Sequence, residues 1–156
     1  MSSDNVNRLF ETIQSETELY TFLVDILTEE QSVLTTRDAR KIESLAAQKM
    51  AILEGIDKLA QSRAEVMREL GLADRAALVS WLADKPEWRD AWCLLETTVT
   101  RAQTLNHING LLVAEHLSYV DEAIDLLMSS QASTLAYRRD GGTRSVLGGG
   151  RNLGEA

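Results

Sequence analysis

The stretch from Pro86 to about Ser130 constrains this chain most, because it contains nothing that would stop a helix. Proline at the first helical position loses no needed N–H, and the 156 residues hold no second proline. Apolar or near-apolar residues then recur in steps of four and three: Trp88, Trp92, Leu95, Val99, Ala102, Asn106, Asn109, Val113, His116, Val120, Ile124 and Leu127. A 3.5-residue repeat held over roughly five heptads is a seam that packs against other long helices. The spacing predicts one helix of roughly 45 residues, about 65–70 Å long at 1.5 Å per residue.

Two earlier stretches repeat the pattern. From about Asp4 to Leu34 the seam is Val6, Leu9, Ile13, Thr17, Tyr20, Val24, Leu27, Gln31 and Leu34. Thr35 and Asp38 have the spacing of a capping box and predict the start of a second helix. That helix runs from Asp38 to Leu70 on Ile42, Leu45, Lys49, Ile52, Ile56, Leu59, Arg63, Val66 and Leu70. Lys49 and Arg63 fall on the seam. Their long stems can pack while their heads reach solvent or a facing Glu, or they can act as charges that set the register. Gly71 stands where a left-handed C-terminal cap belongs. Asp74 then caps a short helix, about Arg75 to Ala83, with Leu78, Val79 and Leu82 inward. Trp81, Trp88 and Trp92 gather at the turn that follows, where they can close one end of a bundle.

The expected fold is therefore all-α: an elongated antiparallel helical bundle, or coiled coil, of three long helices plus one short one. Residues 1–136 form the bundle. The tail, 137–156, is different in kind: it holds six of the nine glycines and four arginines against one Asp and one Glu. It cannot bury enough apolar surface to offset its ordering entropy, and is expected to be flexible. A net charge of −8 argues against nucleic acid as a partner. The lone Cys93 rules out an internal disulfide and suits a reducing compartment. The first residues lack a signal-peptide pattern, and Leu19–Leu27, interrupted by Asp25, is too short to cross a bilayer. A cytoplasmic protein without membrane insertion is expected.

No catalytic set is apparent, and no metal or cofactor is expected. Gly148-Gly149-Gly150 has no strand before it and no Lys-Ser/Thr after it. Glu29-Glu30 and Glu115-His116 lack the Glu-x-x-His spacing of di-metal bundles. Cys93 reads as a small core residue. His107-Ile108-Asn109-Gly110 is faintly similar to the His-x-x-Lys-Gly run of histidine phosphotransfer domains. It has no lysine to hold a phosphoryl group, and its glycine arrives one residue early. Asn106 and Asn109 are amides on the seam, which fix register when paired. Asn106 is expected to be paired within the bundle. Gly110 costs about 1 kcal/mol relative to Ala in a helix interior, so it implies a close approach or a bend. For Asn109 and Gly110 that approach can come from this chain or from a partner.

A helical hairpin of alternating Leu/Ile and Lys/Arg, a tryptophan-bearing turn, then Asn106-His107-Ile108-Asn109-Gly110-Leu111-Leu112 on a long helix resembles the FlgN-type flagellar export chaperones. Tyr137-Arg138-Arg139-Asp140-Gly141 is similar to the Tyr-Gly-x-x-Gly run that follows the last helix in that family, with Arg138 in place of the usual glycine. The resemblance implies a non-enzymatic cytoplasmic chaperone. Its partners would be the hook-associated proteins of the hook–filament junction and the type III export apparatus. On this reading a client's amphipathic helix lies along Leu117, Val120, Ile124, Leu127, Met128 and Leu135, with Asn109 and Gly110 contributing. Tyr137 and the tail would dock at the export gate. The alternatives are that the chain's own short helix or a second copy covers the same stripe, the latter making a homodimer or a self-associating structural coiled coil, and a phosphotransfer domain.

Overall fold

A computed structural model describes residues 3–141 of the chain, with side chains through residue 132. The described residues form four helices: α1 (Ser3–Thr36), α2 (Ala39–Glu69), α3 (Arg75–Leu82) and α4 (Pro86–Gly141). The architecture is the all-α bundle that the heptads imply. The chain divides into two units, Met1–Val113 and Ala114–Ala156, so α4 serves the first as far as Val113 and the second beyond it.

Local chemistry sets the helix ends. Arg37, with φ of 57°, turns the chain out of α1. Asp38 is the N-cap of α2, its carboxylate accepting from the Lys41 N–H at 3.2 Å. The capping box expected at Thr35 is not used. Thr35 still lies in the last turn of α1 and donates its hydroxyl to the Ser32 carbonyl at 2.6 Å. At the far end of α2 the Leu72 N–H reaches the Met67 carbonyl at 2.8 Å and the Gly71 N–H the Arg68 carbonyl at 3.0 Å. This is a Schellman stop, and it needs the φ of +72° that Gly71 adopts. Leu72 buries itself beside Met67, as that motif favours. Asp74 caps α3 by accepting from Ala77 N–H at 2.8 Å. Leu78 and Leu82 are buried one turn apart, but Val79, expected inward, is 42% exposed. A two-turn helix has one inner stripe, and Val79 lies about 100° round from Leu78.

Helix α4 continues past Ser130, the end expected for it, to Gly141. The intervening Ser, Thr and Ala residues tolerate helix, and no proline or glycine occurs between Gly110 and Gly141. Tyr137–Gly141 thus has helical backbone, and the rest of the expected tail, 142–156, lies outside the described residues.

In the first unit α1 and α2 are antiparallel, and α4 runs parallel to α1. Phe10 meets Trp88 at 5.1 Å between ring centroids near one end, and Asn109 reaches Leu27 and Glu30 near the other. Four layers spaced by one heptad follow. Leu9, Leu70 and Trp88 belong to one apolar cluster. In the next layer Arg63 Nε donates to Glu16 Oε2 at 2.7 Å, with Leu95 and Trp92 alongside. Leu23, Ile56 and Ala102 form the third, again apolar. In the fourth, Lys49 Nζ donates to Glu30 Oε1 at 2.7 Å, and Asn109 Nδ2 donates to Glu30 Oε2 at 2.7 Å and to the Leu27 carbonyl at 2.8 Å. Apolar and charged layers alternate. Lys49 and Arg63 therefore send their heads to facing glutamates.

The seam of α1 departs from expectation at those glutamates. Glu16 and Glu30 are buried at the polar layers in place of Thr17 and Gln31, which lie one residue round and are half-buried. On α4, Asn109 is buried and Asn106 is exposed, the reverse of the pairing expected for Asn106. Leu105 packs against the cluster instead. Cys93, expected in the core, is exposed, since the neighbouring Trp92 takes the inner position. Gly55 fits a close approach: a Cβ there would stand 3.0 Å from Leu19 Cδ1. Trp81 and Trp88 meet edge to face with ring centroids 5.8 Å apart and pack against the cluster that buries Trp92; the Lys85 ammonium lies 4.5 Å from the Trp81 ring and donates to the Trp81 carbonyl.

Candidate functional site

The residues singled out from the sequence divide between the two units. Asn109 lies in the first and is only 2% exposed, with both amide hydrogens engaged by Leu27 and Glu30. A side chain so placed faces the bundle interior, so Asn109 is reassigned from the partner-facing set to the polar layer. Gly110 is exposed, and a Cβ added to it would meet no described atom within 4 Å beyond its own turns of helix. No close approach inside the chain therefore requires a glycine here.

In the second unit Leu117, Val120, Ile124, Leu127 and Met128 lie on α4 at intervals that place them within about 100° of arc on one face. Their exposures run from 50% at Ile124 to 66% at Met128. Helix α4 forms here because leucine, alanine, methionine and glutamate favour it, yet no described apolar side chain of this unit is buried. Leu126 and Tyr119, not anticipated from the seam, are exposed as well. Their signal was available, as large apolar residues off the 3.5-residue register. Leu135 and Tyr137 lie beyond the described side chains.

Carboxylates occupy the rest of this helix surface, beside the exposed Tyr119 and Leu126, with Asp121 next to Met128 at the edge of the stripe. Glu115, Asp121, Glu122 and Asp125 are all exposed, and no lysine or arginine lies between Ala114 and Ala132. Glu122 and Asp125 share a shallow groove with Leu126 and Ser129. The segment thus presents an open apolar stripe on a helix whose remaining surface is net negative.

Polar chemistry is concentrated in the first unit, on the Glu16 layer. Burial pushes the Glu16 carboxyl above its ordinary value of 4.5, against the pull of the hydrogen bond and charge of Arg63. Burial and the nearby Glu16 charge raise Tyr20 as well. Among the described residues no three or more of His, Cys, Asp and Glu are grouped so as to hold a metal ion. No described helix is long and apolar enough to cross a membrane.

Comparison with known proteins fits this arrangement. The chain is 26% identical over 147 residues to the flagella synthesis protein FlgN of Proteus mirabilis, covering 92% of this chain and 96% of that protein. No solved structure matches. The family model described as FlgN protein matches residues 1–145. This chain belongs to the FlgN family.

Proposed function

We propose that the chain is a cytoplasmic chaperone that holds hook-associated proteins of the flagellum and delivers them to the type III export apparatus. The observation that carries this reading is the open stripe from Leu117 to Met128 on a helix of the second unit. Support comes from family membership and from the flagellar role named for the Proteus relative.

A helical segment whose described apolar side chains all lie in water gains little from propensity alone, because nucleation is costly and isolated helices are marginal. A client's amphipathic helix laid on the stripe removes that surface from water, at about 25 cal/mol per Å² of apolar area before the costs of association. Met128 lets one end of the stripe adapt to different neighbours. No catalytic step is needed. Tyr137 and the residues after it are the handle for the export apparatus.

A second copy is the rival occupant of the stripe. A second copy carries the same four carboxylates, with Asp121 bordering the stripe, and no lysine or arginine among residues 114–132 to offset them. That charge favours a different partner over self-pairing. The test is Val120→Asp with Ile124→Asp. Co-purification with a hook-associated client is lost while circular dichroism is unchanged. Loss of helicity would make the stripe core, and light scattering that shows a dimer dissolved by the same changes would support the rival. Deleting Tyr137 onward leaves the client bound but blocks its secretion; loss of client binding in that truncation would overturn the division of roles.

A further inference from the structure

A cavity of about 540 Å³ opens in the first unit at the Glu16 layer, between α1, α2 and α4. That volume falls within the range of small-ligand sites. Its apolar wall is made by Tyr20, Met67, Trp92, Leu95 and Val99. Two buried lining residues each carry a polar atom with no partner in the protein. Glu16, 1% exposed, uses Oε2 for Arg63 and leaves Oε1 unmatched. Trp92, 7% exposed, leaves its indole Nε1–H unmatched, while its ring takes the Arg63 guanidinium at 5.4 Å. One atom is an acceptor and the other a donor.

Charge narrows the occupant. The lining holds Glu16 with Arg63 and, at the rim, Arg75 with Glu96. These pairs cancel. An anion would face two carboxylates and a cation two guanidiniums, so the lining disfavours both. A neutral group that offers an N–H and an oxygen from separate atoms matches Oε1 and Nε1–H together. We propose that this cavity is a binding site for an uncharged primary amide on a short apolar stem, the chemistry of a glutamine or asparagine side chain presented by a partner polypeptide. The site lies wholly within the first unit and does not depend on the stripe of the second.

Three probes of equal carbon number test it: butyramide, butyrate and n-butylammonium, titrated into the full-length chain. The readout is the Trp92 indole N–H resonance, distinguished from those of Trp81 and Trp88 by Trp92→Phe. Butyramide shifts it saturably, and the two ions do so severalfold more weakly. Glu16→Gln leaves Arg63 without its counter-charge and moves the preference to butyrate. Arg75→Gln removes an exposed rim charge, where folding is not at stake, and moves it towards n-butylammonium. No saturable shift with any probe means that the cavity takes water only and overturns the proposal. Equal shifts with all three, or a ranking unmoved by Arg75→Gln, overturn it too.

Discussion

Helix α4 is amphipathic on both sides of Val113, but among the described residues only the side before it is buried. Before that point Trp92, Leu95, Ala102 and Asn109 are buried against α1, α2 and α3. After it, Leu117, Val120, Ile124 and Leu127 repeat the same intervals in full view of water. Neither side chain type nor spacing separates the two regions. The difference is the presence of companions. A periodic stripe states that a helix has something to bury; it does not state against what.

The contrast can be broken most easily at the fourth layer. Glu30→Leu strips Lys49 and Asn109 of their acceptor inside the first unit, and should lower the unfolding free energy by about 3 kcal/mol in urea titration. Adding Lys49→Leu and Asn109→Leu removes the stranded polar groups and should recover most of that loss. Val120→Asp with Ile124→Asp, in the second unit, should stay within about 0.5 kcal/mol of the wild type. A Glu30→Leu chain as stable as the wild type would erase the distinction between the regions.

Glu16 gives a smaller, pH-dependent effect. Its carboxyl titrates above 4.5 in the folded chain, so the folded state holds that proton more tightly than the unfolded state. The stability this confers is complete below pH 4.5 and is lost as pH rises through the folded value. Chemical unfolding across that window should show the wild type weakening relative to Glu16→Gln. A parallel pH dependence in the two would mean that Glu16 is not the source. A small effect of the opposite sign belongs to Gly110→Ala. It should raise stability by about 1 kcal/mol or less from helix propensity, since the added methyl meets only open space. If a partner's backbone approaches there, the same change weakens client binding; unchanged client affinity would confine Gly110 to the bundle's own account.

Much of the first unit was legible in its residues. The heptads gave the helices, Gly71 the Schellman stop, and Lys49 and Arg63 their place on the seam. What escaped was which of two near-equivalent positions turns inward. Asn106 and Asn109 are three residues apart, only about 60° on a helix, and the choice was made by Glu30, a residue on another helix. Glu16 and Glu30 themselves were hidden because a carboxylate is a poor guess for a core position until its cation is known to face it. Thr35 lost its expected role to Asp38 because α1 ran two residues past Leu34, the last of its seam. In the second unit the stripe was readable in the heptads, and its openness needed coordinates.

The alternation of oily and ionic layers also acts as a vernier on the hairpin of α1 and α2. Sliding one helix past the other by seven residues would set Glu16 against Leu70 and Glu30 against Ile56, stranding carboxylates on aliphatic neighbours. Only a fourteen-residue slide brings unlike charges back together, and it discards nearly half of the overlap. Misaligned pairings formed while the chain collapses are thus penalised where they are nearest to correct, and the chain has one alignment in which every rung is matched.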